Sequence, residues 1–141
     1  MADLTLRTIP RPLPAADNVS RAYWEGCAAG KLLIQRCTAC GQFQFYPRAM
    51  CTACAGEPEW VEASGHGSVH TFTVLHQNKT PPWGTLGPYV VAMIELDEGV
   101  RMMSNIVDCA PADVRIGMPV VVEFIEAGED VVIPVFRREA S

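Results

Sequence analysis

Four of the six cysteines stand in two C-x-x-C pairs, Cys37-Thr-Ala-Cys40 and Cys51-Thr-Ala-Cys54, with ten residues between the pairs. A C-x-x-C turn presents two sulfurs on one side of a tight knuckle, and two knuckles joined by a short hairpin supply the four thiolates that Zn²⁺ prefers. Gly41, directly after the first pair, permits the positive φ that such a turn needs. Four sulfur ligands leave no open position for water or substrate, so the spacing predicts a structural Zn²⁺ held by Cys37, Cys40, Cys51 and Cys54. The competing reading is a disulfide pair or a redox C-x-x-C. A redox motif needs only one pair, however, and a reducing compartment disfavours structural disulfides. Cys27 and Cys109 lie outside the pattern and are expected to be small buried apolar residues.

Catalysis needs a nucleophile, a base and a stabiliser within reach of one another. The three histidines, His66, His70 and His76, fall in one short stretch. If residues 67–76 form a regular strand, His70 and His76 share a face but stand about 20 Å apart, too far for one metal. No glycine-rich phosphate loop or G-x-S-x-G elbow occurs, and Glu95, Asp97 and Glu98 run beside a turn. No catalytic residue is assigned, and the chain is not expected to be an enzyme on its own.

The elements that must position the cysteines can be read around them. Residues 1–16, with Pro10, Pro12 and Pro14, predict an extended arm of the kind that lies on a partner. A helix is expected from Asp17 or Asn18, either of which can cap it, through Tyr23 and Trp24 toward Gly26 or Gly30. Tyr23 and Trp24 are its conspicuous residues, for packing against the ribbon or for contact with a ligand or partner. A strand over residues 31–36 then delivers the chain to the first knuckle, and residues 42–46 alternate as a second strand ending at Pro47. The segment 17–64 reads as a helix plus a zinc ribbon; residues 1–64 are too few to build an independent core, and metal binding supplies on the order of 10 kcal/mol to such a module.

Beyond Trp60 short alternating runs separated by turns predict five strands, at residues 67–76, 89–96, 100–107, 119–125 and 131–136. Near-regular spacing without a second long helix predicts a small antiparallel barrel over residues 65–141, with Glu98-Gly99 and residues 128–130 as tight turns. Residues 108–117 are the one connection with room for a short helix, where an OB-fold carries its own. The loop 77–88 holds Pro81, Pro82 and Trp83 and is the candidate binding element of the barrel.

The chain has 141 residues, 49% hydrophobic and only 19% charged, with a net charge of −5. Residues 1–64 carry six basic and six acidic residues, whereas residues 65–141 carry five and ten, so the barrel bears the whole negative charge. That balance, with two lysines in all, excludes binding of a nucleic acid by bulk charge. No apolar run approaches the roughly 20 residues of a membrane span, and the N-terminus lacks a signal-peptide pattern; a cytoplasmic protein is expected. An apolar surplus with few charges points to a covered surface.

Taken together, Tyr23-Trp24-Glu25-Gly26, Gly30-Lys31-Leu32, Gln35-Arg36-Cys37-x-x-Cys40-Gly41, Pro47-Arg48 and Cys51-x-x-Cys54 resemble the DUF35 family. The second half is similar as well, through Gly65-x-Gly67-x-Val69, Pro88-Tyr89-Val90-Val91-Ala92, Val114-Arg115-Ile116-Gly117-Met118-Pro119 and Pro134-Val135-Phe136. The resemblance implies a mainly β protein: an N-terminal helix and a rubredoxin-like zinc ribbon followed by a five-stranded OB-fold. It further implies an accessory subunit of a thiolase-like protein, a hetero-oligomer in which the partner supplies the catalytic groups. Acyl-CoA or an acyl thioester would then lie at the shared interface, in a complex that makes or breaks carbon–carbon bonds. The alternatives are a free-standing acyl-CoA binding module, with Arg36, Arg48 or Arg115 meeting the CoA phosphates, or a single-stranded nucleic-acid-binding OB-fold.

Overall fold

A computed structural model describes residues 5–79, 83–128 and 130–139. Helix α1 (Arg21–Ala28) precedes three short strands, β1 (Leu33–Cys37), β2 (Phe43–Gln44) and β3 (Pro58–Glu62). They form an antiparallel sheet in the order β2-β1-β3, with Gln35 opposite Gln44 on one side and Trp60 on the other. Five longer strands follow: β4 (His66–Leu75), β5 (Tyr89–Leu96), β6 (Arg101–Val107), β7 (Pro119–Gly128) and β8 (Val131–Arg138). They close into a barrel in the order β4-β5-β6-β8-β7. All its pairings are antiparallel except β6 with β8, which meet in parallel at Ile106↔Phe136 and Val107↔Arg137. This Greek-key closure of five strands is the OB-fold arrangement.

Alternation explains the barrel. Along β5 the even positions Val90, Ala92, Ile94 and Leu96 are buried and the odd positions between them half-buried, the period-2 signature of one face turned to a core. Close strand approach shows at Gly67, where an added Cβ would collide with the Glu95 carbonyl oxygen. The core is continuous across the chain: Tyr23, Cys27, Leu32, Ile34 and Ala63 belong to the same buried cluster as Val69, Ile94, Ile106 and Phe136. The helix and ribbon therefore bury their apolar residues against the barrel, each large side chain contributing about 1.5–3 kcal/mol. At the junction Ser64 N–H donates to the Glu98 carboxylate at 2.8 Å, so the β5–β6 turn holds the connecting chain.

Several sequence expectations shift. The helix starts at Arg21, because Asp17 to Ser20 form a turn in which Ser20 N–H donates to Asp17 Oδ1 at 2.7 Å and Asp17 N–H to Ser20 Oγ at 3.2 Å. The strand expected over 42–46 shrinks to Phe43–Gln44. Strand β3 adds to the sequence expectation; Pro58 stands at its first position, where a missing N–H is tolerated. The connection 108–117 holds only a single 3₁₀ turn, Pro111–Asp113. Glu129, within the turn expected over residues 128–130, lies outside the described residues.

Within the arm expected over residues 1–16, one turn is formed among the described residues. Thr5 to Ile9 make a turn, with Ile9 N–H donating to Thr5 O at 2.8 Å and Ile9 buried. The segment is fixed to this chain's own barrel. Arg7 Nε donates to Asp108 Oδ1 at 3.1 Å, Arg7 also pairs with Glu123, and Leu13 lies over Gly128.

Candidate metal centre

The two knuckles have the same backbone. Gly41 N–H donates to Cys37 O and Ala55 N–H to Cys51 O, both at 2.9 Å, and residues 41 and 55 adopt left-handed φ of 76° and 64°. Glycine takes that conformation freely, as expected at Gly41, whereas Ala55 takes it at a cost. Within each knuckle N–H groups point at sulfur: Ala39 N and Cys40 N lie 3.3 and 3.4 Å from Cys37 Sγ, and Ala53 N lies 3.4 Å from Cys51 Sγ. The four sulfurs lie within 4.8 Å of one another, with Cys37–Cys54 at 3.5 Å and Cys40–Cys51 at 3.7 Å. Zinc–sulfur bonds near 2.3 Å in a tetrahedron require sulfur separations of about 3.8 Å, so this donor set fits the ion. Gly56 completes the fit, since a Cβ there would lie 2.8 Å from Cys37 Sγ and 3.2 Å from Cys54 Sγ.

Electrostatics favour a cation. The Cys40 and Ala39 N–H groups bring the Cys37 thiol down to about 6, and the Cys54 and Ala53 N–H groups lower Cys51. At Cys54 the Gly56 N–H acts downward, but sharing the site with Cys37 and Cys40 outweighs it and pushes the thiol up to about 12. Four crowded thiolates cannot all ionise without a positive charge among them.

A buried polar pair that sequence reading missed fixes the loop between the knuckles. Gln35 and Gln44 are 4% and 7% exposed. Gln35 Nε2 donates to Arg48 O at 2.9 Å, and Gln35 Oε1 accepts from Arg48 N at 2.9 Å and from Gln44 Nε2 at 2.6 Å. Gln44 Oε1 then accepts Thr52 N–H at 3.0 Å, which ties β2 to the second knuckle. Two glutamines at facing positions of β1 and β2 were the available signal, visible only once the register is known.

The remaining candidates are not gathered around the cysteines. Tyr23 is buried, edge-on to Trp24 and Phe45 at 4.8 and 5.5 Å, and burial and the neighbouring Cys27 raise its hydroxyl. Cys27 is 1% exposed, as expected, with its thiol raised to about 11 by burial, while Cys109 is only partly buried. Trp83 stacks on Tyr89 at 5.6 Å beneath the Arg11 guanidinium at 5.2 Å. Pro81 and Pro82 lie outside the described residues. His70 sits at a β-bulge between Val69 and Thr71, so the regular spacing assumed for it breaks, and His66 Nδ1 lies 3.5 Å from Glu139. Arg115 donates to Ala112 O and Val114 O of its own loop, at 2.6 and 3.0 Å. No helix among the described residues is long and apolar enough to cross a membrane.

Comparison with known proteins places this geometry in a family. Residues 24–61 match the rubredoxin-like zinc ribbon domain of ChsH2, and residues 60–124 match the ChsH2 C-terminal OB-fold domain. The chain is 41% identical over 101 residues to a DUF35 domain-containing scaffold protein of Methanocaldococcus jannaschii, covering 70% of this chain and 71% of the relative. It is 40% identical over 129 residues to a probable enoyl-CoA hydratase alpha subunit of Thermomonospora curvata, covering 90% of this chain but spanning only 40% of that relative. A shorter match, 33% identical over 72 residues, joins 50% of this chain to 47% of the benzoylsuccinyl-CoA thiolase subunit BbsA of Geobacter metallireducens. Among solved structures, a chain of the Ltp2-ChsH2(DUF35) aldolase superposes with a TM-score of 0.81 at 38% identity, covering 89% of this chain and 98% of that one. With a zinc ribbon whose four cysteines are positioned to bind a metal ion and a five-stranded OB-fold, the chain belongs to the DUF35 family.

Proposed function

We propose that this chain is a non-catalytic accessory subunit that assembles with a thiolase-like enzyme acting on acyl-CoA thioesters by making or breaking carbon–carbon bonds. The observation that carries the reading is its likeness, over 98% of the matched chain, to the DUF35 component of an aldolase assembly. A relative named as a thiolase subunit and others named as scaffold proteins support it. Cys37, Cys40, Cys51 and Cys54 hold a structural Zn²⁺, whose four sulfurs leave the ion no position for substrate, so its contribution is the folding of residues 17–64. The partner supplies the reacting groups, and the barrel of residues 65–141 borders the acyl-CoA path at the shared interface. The complex is a hetero-oligomer of the cytoplasm, where thiolates persist. Because the arm is bound to its own barrel through Arg7, it shapes that barrel's surface rather than reaching out to the partner alone.

The test is to assay a thiolase-like protein from the same genome with and without this chain. Partner activity or solubility that depends on the chain, and falls when the cysteines are replaced by serine, is the expected result. A partner fully active and soluble alone, which never binds the chain, overturns the reading.

A further inference from the structure

Two hollows adjoin at the seam between the ribbon and the barrel, with Phe45 and Tyr46 as their shared ridge. The larger, about 440 Å³, opens where β6 and β8 part, since their pairing is confined to Ile106↔Phe136 and Val107↔Arg137. The smaller, about 390 Å³, lies between the loop carrying Arg48 and the β5–β6 turn. Along this seam Tyr46 and Met103 are 47% and 57% exposed, beside the half-buried Trp24. Among the described residues three arginines line it, Arg11, Arg48 and Arg101, and no aspartate or glutamate does, in a chain with sixteen acidic residues and a charge of −5. Arg101 is held by an exposed pair to Glu95 at 3.5 Å, a contact weak enough to exchange.

We propose that this seam is the docking surface for a segment of the thiolase-like partner whose apolar side chains are flanked by carboxylates; the inference rests on the proposed function. Protein rather than a polyanion is the occupant, because exposed Tyr and Met with Trp and Arg are the residues enriched at protein interfaces. Three spaced arginines also fall short of the cation density that a phosphate backbone demands. Charge complementarity fixes the partner's sign. The acidic remainder of the chain repels a carboxylate-bearing segment, and the seam attracts it, which sets register and association rate.

The experiment places a photo-crosslinking p-benzoylphenylalanine at Met103 of the full chain co-expressed with its thiolase-like partner, and in parallel at Ile116, exposed and outside the seam. Crosslinks from position 103 to a partner peptide with Asp or Glu beside apolar residues are expected. The double variant Arg48→Glu, Arg101→Glu is expected to bind the partner at least tenfold more weakly with unchanged zinc content. If that variant loses zinc, Arg48→Gln and Arg101→Gln taken singly carry the same test. A partner that binds but crosslinks only from position 116, with affinity unmoved by the arginine variants, overturns the docking surface and leaves the proposed function standing. Crosslinking from position 103 that added CoA thioester abolishes while the partner stays bound overturns it in favour of a ligand hollow. Failure of the unmodified chain to bind the partner overturns both.

Discussion

Replacing Gln35 by Met isolates the polar pair beneath the metal centre. Methionine has nearly the same volume and keeps the buried shape, but it removes three hydrogen bonds: those from Arg48 N, to Arg48 O, and from Gln44 Nε2. Each is worth about 1 kcal/mol net, and the exposed position of Arg48 lets water re-solvate part of its backbone, so the loss is about 2–3 kcal/mol. Because metal binding and folding of such a module are one equilibrium, that loss appears as zinc affinity weakened about 30- to 150-fold. Competition of the full chain against a chromophoric chelator measures it, with thermal unfolding as a second readout. Gln42→Met, at an exposed position of the same loop, is the control and leaves affinity unchanged. A Gln35→Met chain that holds zinc as tightly as the parent, or a control equally damaged, refutes the assignment of this pair as the loop's anchor.

Ala55→Gly relieves a left-handed residue and is expected to stabilise the chain by about 0.5–1 kcal/mol in thermal or denaturant unfolding; a less stable variant contradicts the shared knuckle geometry. Gly56→Ala forces a methyl against Cys37 and Cys54 sulfurs, costing about 1–3 kcal/mol, and is read as zinc lost to a chelator that leaves the parent loaded. The Arg7 hydrogen bond holds the Asp108 carboxyl below its usual range. A lowered folded pKa means that the contribution is present above about pH 4 and lost as acid protonates Asp108. Hydrogen-exchange protection at residues 5–9, taken relative to the intrinsic amide rate at each pH, is therefore expected to fall at low pH and, for Arg7→Ala, at neutral pH. The effect stays below about 1 kcal/mol because the pair is partly exposed.

What the sequence revealed and what it hid have physical causes. The cysteines announce themselves because ligand spacing is local, and the barrel strands because alternation against one core repeats every two residues. The Gln35–Gln44 pair stayed hidden because a polar residue at an alternating position reads as solvent-facing until a second strand places another amide opposite it. The docking of the arm depends on Arg7 meeting Asp108, 101 residues away in the chain, a contact no window of sequence contains. The bulge at His70 is one inserted residue that alternation averages over. Residues 1–64 read as too few for a core of their own, and the structure adds a second support beside the metal site: apolar side chains of the helix and ribbon share the barrel's own cluster.

Native mass spectrometry of this chain co-expressed with a thiolase-like protein from the same genome tests the central claim most directly. The account predicts a hetero-oligomer containing both subunits, with one Zn²⁺ for every copy of this chain. Two separate species, neither carrying the other, would contradict it.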